Sequence, residues 1–461
     1  MSGLFGTLSI ALTGLAVSQQ QLATSSNNVA NASTPGYSRE TAVTEAGAPI
    51  VIGNLVTGTG VVLDKIESLR DPILEIQLTQ TTQQQSGLNA ELEQLQQLQT
   101  NFSSDSSGIG ADISNFFNSL QQLSPDPSNL ALRQSVLTAA ANLAQDFNTA
   151  ASDLTTQQAN LNLTVQQSVS QINSLTAQLA GVNQQIATLE NIHVDASTLV
   201  DQQTNLIRQL SGLIDVQVIP TEKGGIEVTT SNGTALVSGI QSFALSTQTK
   251  QGGNLDVFAN AADITSTISG GSLAGTLEVR DQQIPNILSQ LDQLAAGFSN
   301  AINTANAQGL DLNDVKGTNI FSTPPAGVTG AAANMRAIMT DPTLLAASSD
   351  GAAGSNGNLT NLLGVATQKV ANGQTPIGAY SNLVFQVGSA ASNTSAEVDA
   401  ANQILQQLQD QRNSVSGVSL DEEAANIIQY QTAYQAAARV VSTIDAMLAD
   451  AVNLGIDTAV Q

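Results

Sequence analysis

Leu8, Leu15, Leu22 and Val29 near the N-terminus fall seven residues apart, and so do Leu420, Ile427, Tyr434, Val441 and Leu448 near the C-terminus. A 3.5-residue hydrophobic repeat keeps one helix face turned toward a partner, so both ends of the chain are committed to helices that bury a shared seam. The expected pairing sets the Leu8, Leu15, Leu22, Val29 stripe against Ile427, Tyr434, Val441 and Leu448. Chain ends that pair in this way suit a subunit held in an assembly.

Between the ends, the pattern is again mostly helical. The first helix is expected from about residue 3 to 32, closed by Pro35, which moves Thr34 out of the helical region, with Pro35-Gly36 at the centre of a type II turn. Residues 41–65 read as short extended segments broken by Gly and Pro. A Gln-rich helix spans about 71–102, with Leu88, Leu95 and Phe102 at heptad spacing and Leu92 beside them. Asp126-Pro127 predicts a cap and first-turn proline for a long helix ending near 189, in which Val165, Ile172, Leu179 and Ile186 hold one seam position and Leu175, Val182 and Leu189 the other, with Ser168 the exception.

Residues 214–270 change character. Val216 and Val218 alternate, Ile226 and Val228 follow, and Lys223-Gly224-Gly225 and Asn232-Gly233 are turn signals, which together predict a small β-hairpin insert. Helix resumes at 282–306, a Gly-, Ala-, Ser- and Asn-rich loop stretch runs to about 392, and a helix at 394–413 leads to the last one. Ser419 with Glu422 three residues on is a capping box, and Asp421, Glu422 and Glu423 favour the positive helix end. The expected fold is mainly α: terminal helices forming a coiled coil (1–40 plus 415–461), a central long-helix bundle (41–309 plus 391–414) with a β-rich insert at 214–270, and a reduced loop-rich outer region at 310–390.

Composition narrows the function classes. Asp plus Glu outnumber Lys plus Arg by 37 to 13, a net charge of −24 that repels phosphate backbones and anionic lipid, so nucleic acid and membrane are not expected partners. Residues 4–17 could pass for the apolar part of a secretory signal, but such signals open with basic residues and the first one here is Arg39. No apolar run approaches the roughly 20 residues of a membrane-spanning helix. With aromatic content at 3%, helix packing through Leu, Ile, Val and Ala is expected rather than compact aromatic cores.

Little of the sequence is suited to catalysis. His193 is the single histidine and there is no Cys, so a zinc site or a Ser-His-Asp triad would have to pass through Asn191-Ile192-His193-Val194-Asp195, which has neither zinc spacing nor a Gly-x-Ser-x-Gly partner. Gly224-Gly225 and Gly252-Gly253 lack the following Lys-Ser or Lys-Thr of a phosphate cradle and read as turns. Asp421, Glu422 and Glu423 are the densest acids and could serve a glycosidase, but they stand at a helix start, where capping accounts for them. Tyr430 and Tyr434 are spaced for packing. No catalytic, cofactor-binding or metal-binding residue is expected.

Asn27-Asn28-Val29-Ala30-Asn31 followed by Ser33-Thr34-Pro35-Gly36-Tyr37-Ser38-Arg39 resembles the N-terminal signature shared by rod, hook and hook-associated proteins of the bacterial flagellum. Ser416-Gly417-Val418-Ser419-Leu420-Asp421-Glu422-Glu423 with Tyr430-Gln431-Thr432-Ala433-Tyr434-Gln435-Ala436 looks like its C-terminal partner, in a form similar to the hook-associated protein 1 family. Residues 206–216, the run 270–275 before Leu277-Glu278-Val279-Arg280, and Asp341-Pro342 with Ala346-Ala347-Ser348-Ser349 are similar to the same family. The resemblance implies a structural protein at the hook–filament junction, on which filament growth depends. Its partners would be further copies of itself in a ring, the hook protein, the second junction protein, and a type III export chaperone on the C-terminal helix, whose apolar stripe is otherwise exposed. Export would need no cleaved signal peptide, and the protein would reside outside the cell in the flagellum. The alternatives are another axial protein, such as the second junction protein, a hook or rod paralogue or flagellin, and a peptidoglycan-cutting axial protein. The assembly surface is expected at the two stripes, with Leu420 included, together with Asn27, Asn28, Asn31, Pro35, Gly36 and Tyr37, the three asparagines touching neighbouring subunits.

Overall fold

The computed structural model describes residues 2–52, 55–102, 108–192, 194–221, 225–250 and 252–457. Helix α1 (Ser2–Asn31) ends at the turn Thr34-Pro35-Gly36-Tyr37, in which the Tyr37 N–H donates to the Thr34 carbonyl at 3.2 Å and Gly36 takes φ +82°. Strands β1 (Glu40–Ala46), β2 (Ile50–Ile52), β3 (Leu55–Thr57) and β4 (Val61–Ser68) then form an antiparallel arm: β1 pairs with β4 at its base and β2 with β3 at its tip. Helix α2 (Pro72–Asn101) starts where the Asp71 carboxylate accepts from the Ile73 and Leu74 N–H groups.

The centre of the molecule is α4 (Leu130–Asn191), 62 residues and therefore about 93 Å long at 1.5 Å per residue. Its cap is Asn129, whose side chain accepts from the Ala131 and Leu132 N–H groups; the expected cap, Asp126, accepts from Ser128 and Asn129 and shapes the turn before the helix. The helix α3 (Ile109–Leu123) was not legible from the sequence pattern, and α5 (Ser197–Ser211) follows α4. His193 lies outside the described residues, as do Lys223 and Gly224 of the expected turn.

The β insert is larger than one hairpin. β5 (Gln217–Pro220), β6 (Ile226–Thr229), β7 (Ala235–Ser238) and β8 (Gln241–Ser242) form one antiparallel sheet; β9 (Leu245–Thr249), β10 (Leu255–Ala259) and β11 (Ala262–Asp263) form a second. Helix also returns earlier than expected: α6 (Gly271–Glu278) runs through a π-turn at Val279–Gln283 into α7 (Ile284–Ala307), and the wider turn takes up the missing N–H of Pro285. Gly275 is where α2 and α6 touch, since a Cβ there would stand 2.0 Å from the Gly87 carbonyl oxygen.

The Asn-rich stretch ends sooner than its composition implies. After the short α8 (Leu359–Gly364), helix α9 (Pro376–Ser416) begins at the Thr375 cap, well ahead of the expected start at 394, and α10 (Leu420–Asp457) closes the chain. Nor is the stretch loosely held. Ile320, Phe321, Ala332, Met335, Leu345, Leu359 and Leu362 are buried in one core with α3, the first half of α4, α7 and the first half of α9. Its irregular backbone is satisfied by buried asparagines: Asn303 bonds Ile320 and Phe321, Asn306 bonds Thr318 and Ala346, and Asn358 donates to the Ala305 and Ala346 carbonyls. Six of the ten phenylalanines gather in this core, so the few aromatics are concentrated rather than dispensed with.

A second core joins the far half of α4 to α5, α6 and both sheets, with Val165, Ile172, Leu179 and Ile186 fully buried as their heptad spacing predicts. Asn162, Asn173 and Asn183 stand about three turns apart on α4 and hold the strands to it. Asn173 exchanges hydrogen bonds with the Leu245 N–H and carbonyl, Asn162 accepts from the Leu255 N–H, and Asn183 donates to the Ile226 and Gly239 carbonyls. Neither core contains a residue of α1 or α10.

Candidate functional site: the terminal helix pair and its joint

The most extensive helix–helix packing in the chain is between its two ends, α1 against α10. The pair is antiparallel, because Arg39, just beyond the C-terminal end of α1, grips the N-terminal end of α10. Its Nε donates to Glu423 Oε1 at 2.7 Å, its Nη1 to Glu422 Oε2 at 2.8 Å, and its backbone N–H to the Ser416 carbonyl at 2.9 Å. Ser419 accepts from the Glu422 N–H at 3.4 Å, which is half of the expected capping box. The other half is absent because the Glu422 carboxylate is taken by Arg39. Glu422 and Glu423, two of the three acids at this helix start, are thus committed to holding the helix pair.

Leu8, Leu15 and Leu22 are half-buried along the seam, as are Ile427, Val441 and Leu448, but Val29 is 38% exposed, Tyr434 36% and Leu420 56%. Buried residues that the large-apolar pattern passed over include Ala11, Ser18 and Ser25 on α1, and Glu423 and Ile444 on α10. They occupy the second heptad position, three residues on from Leu8, Leu15 and Leu22 of α1 and from Leu420 and Val441 of α10. The alternation of leucine with small residues lets the helices approach closely, and small residues at i+3 were the available signal. Beyond the seam, Phe5, Leu12, Ile428, Val440 and Met447 leave large apolar side chains exposed. Two helices can cover one stripe each but not two.

The joint between this pair and the bundle concentrates charge. Five of the eight ion pairs among the described residues lie here, in a chain where only 11% of residues are charged, so the arginines are placed for fastening rather than solubility. Glu75 on α2 receives Arg412 of α9 at 2.8 Å and Arg208 of α5 at 3.2 Å. Arg412 also donates to the Gly36 carbonyl at 3.0 Å, while Arg70 donates to Asp201 at 2.5 Å and to the Ser38 hydroxyl at 3.2 Å. Gly36 is required twice over: its φ is positive, and a Cβ would stand 2.1 Å from Asn205 Oδ1.

The Asn-rich motif is the other half of this fastening. Asn28, 1% exposed, donates to the Glu40 carbonyl at 2.8 Å and accepts from the Glu40 N–H at 2.9 Å, so its amide serves as one rung of a strand. Tyr37 donates its hydroxyl to Asn28 Oδ1 at 2.8 Å. Burial, and then the carboxylates of Glu40, Asp201 and Glu423, hold that phenol above its ordinary pKa and keep it a donor. Asn31 donates to Asn27, and Asn27 reaches Glu40 Oε2 at 3.4 Å. Asn28 therefore has no surface to offer a neighbouring subunit; Asn27 and Pro35 are exposed, and Asn31, Gly36 and Tyr37 partly so.

Glu40 is 6% exposed and its Oε1 makes no hydrogen bond. Burial raises its pKa above the ordinary value; Asn27 and Arg70 lower it, and Asp195 and Asp201 raise it further. Ionised Glu40 thus works against the fold, and Glu40→Gln is expected to stabilise the chain at neutral pH. The gain is full above the raised pKa, shrinks as pH falls toward the ordinary carboxylate value, and is gone at about pH 3.5, where the parent is protonated folded or unfolded. Urea unfolding of the two chains at both pH values is the measurement, and a Gln variant less stable than the parent at pH 7 contradicts the assignment.

Residues 95–321 match the family described as flagellar hook-associated protein FlgK helical domain, residues 409–454 the flagellar basal body rod FlgEFG protein C-terminal family, and residues 8–37 the flagella basal body rod protein family. Flagellar hook-associated protein 1 of Bacillus subtilis (strain 168) is 31% identical over 98% of this chain and 99% of its own length. The Escherichia coli (strain K12) protein of the same name is 26% identical over 96% and 98%. The flagellar hook junction protein FlgK from Burkholderia pseudomallei is 18% identical and superposes with a TM-score of 0.66 over 75% of this chain and all of that one, which shows a shared fold.

Proposed function

The chain belongs to the flagellar hook-associated protein 1 family, and from that premise we propose that it is a structural protein of the bacterial flagellum, forming the junction between hook and filament on which filament growth depends. The observation that carries this reading is the terminal pair itself. One seam of α1 and α10 is closed within the chain, and Phe5, Leu12, Ile428, Val440 and Met447 are left for other subunits to cover. Exposed apolar surface of that extent on a chain of net charge −24 belongs to an assembled state rather than a free one.

In the proposed assembly the copies form a ring, with the hook protein on one side and the second junction protein on the other. Both heptad stripes, with Leu420 and the exposed members of the Asn-rich motif, contribute to the contacts, and the joint sets the angle at which the bundle leaves the axis. The uncovered stripe of α10 is the surface an export chaperone would shield before assembly, and passage through the type III apparatus would need no cleaved signal. Burial of apolar residues from 310–375 in the main core leaves little for a separate outer domain. A structural role also accounts for Glu422 and Glu423 at the start of α10, which are bound to Arg39.

Deleting the gene tests the reading. Complete hooks without filaments, and flagellin shed into the medium, are the expected result by electron microscopy and immunoblot. Filaments of normal number and length in the deletion strain would assign the chain to another position on the flagellar axis.

A further inference from the structure

The tip of the β arm is the most exposed apolar element among the described residues. Val51 and Val56 face each other across β2 and β3 and are 72% and 71% exposed, with Ile50 beside them at 50%. An isolated two-stranded hairpin is marginal in water and gains stability only by packing on a third element, most simply a helix. We infer that the β2–β3 tip of one copy packs on the Phe5–Leu12 face of α1 in a second copy. This inference rests on the ring assembly proposed above and specifies one of its contacts.

Charge selects the occupant. No residue from 1 to 38 is charged, and none from 46 to 63, whereas α10 carries acids along its length. Copies with a net charge of −24 repel one another, so they approach at least cost where both surfaces are uncharged, and α1 and the arm tip are those two surfaces. Phe5 and Leu12 are 57% and 48% exposed and stand seven residues apart on one face of α1, an apolar strip two turns long.

The arm cannot serve its own helix in this way. Its base is seated on a different side of α1, where a Cβ at Gly60 would stand 2.3 Å from Thr13 Oγ1 and 3.3 Å from the Ile10 Cα. At 3.6 residues per turn, Ile10 and Thr13 lie roughly 120° around the helix from Phe5 and Leu12.

The natural absence of cysteine makes the test direct. Cells co-expressing a Val51→Cys copy and a Leu12→Cys copy should yield, on mild oxidation of isolated flagella, a disulfide-linked dimer of this protein that neither variant gives alone. Filaments that grow on these copies without any such dimer would overturn the contact while leaving the junction role intact. So would an intrachain link as the sole product of a double variant carrying both cysteines. As an independent reading, the Val51→Asp, Val56→Asp double variant should be exported at parental levels, since both positions are open to solvent, yet support at least tenfold fewer filaments; parental filament numbers would sink the proposal.

Discussion

Ile444→Asp is expected to abolish filament growth while the rest of the chain stays folded. Ile444 is 4% exposed, the deepest apolar residue of α10, and the substitution both forfeits its burial and leaves an unpaired carboxylate in the seam, a cost of about 3–5 kcal/mol. The α1–α10 pair has one seam and no residue in either central core, so that loss falls on the pair and not on the bundle. The expected signature is divided: helix content falls by an amount matching the terminal helices, and the main unfolding transition does not move. Leu15→Asp and Val441→Asp act through the same seam from half-buried positions, and Tyr434→Asp, at 36% exposure, should be milder. Parental incorporation of Ile444→Asp would mean that the seam does not persist in the assembled protein. Circular dichroism of the purified variant and filament counts in a complemented deletion strain decide the matter.

Phe298→Ala is expected to destabilise the bundle by about 3–5 kcal/mol, the usual range for emptying a phenylalanine site in a well-packed core. Its ring on α7 meets Phe116 at 5.7 Å, Phe117 at 6.0 Å and Phe321 at 5.6 Å, edge to face, so it joins α3, α7 and the Asn-rich stretch at one point. At roughly 2–4 °C per kcal/mol for a domain of this size, the melting temperature should fall by about 10 °C. Phe385→Ala, at 72% exposure on α9, is the control and should shift stability by no more than about 0.5 kcal/mol. A Phe298 variant that melts like the Phe385 variant would mean that residues 310–375 are not part of the folded core. The two main predictions thus separate the molecule: one change removes the ends and spares the bundle, the other weakens the bundle and spares the seam.

The long helices were legible because their signal is local and periodic. Val165, Ile172, Leu179 and Ile186 are fully buried where a seven-residue repeat puts them, and the Pro35-Gly36 turn was readable from two residues with narrow backbone preferences. Helices α3 and α6 were missed for opposite reasons. The first is short and follows a run of Ser and Gly; the second opens with glycines that helix propensity disfavours, Gly271 being pressed against the backbone of Leu213 and Ile214 at a positive φ. Composition also misled at 310–392, where Gly, Ala, Ser and Asn read as loop. Asn303, Asn306 and Asn358 are there or border it as backbone partners, and a side chain's choice between solvent and a distant carbonyl leaves no mark on its neighbours in sequence.

At the assembly site the division is similar. From the sequence alone came the two paired ends, the family signature and the exclusion of chemistry that one histidine and no cysteine cannot support. Only the tertiary structure turned Asn28 inward to pair with Glu40, assigned Glu422 and Glu423 to Arg39, and left Val51 and Val56 open. The physical reason is range. Helical periodicity and turn chemistry act over a few residues and can be read along the chain, whereas Arg39 meets its carboxylates across more than 380 residues of sequence, and only the folded path of the backbone brings them within 3 Å.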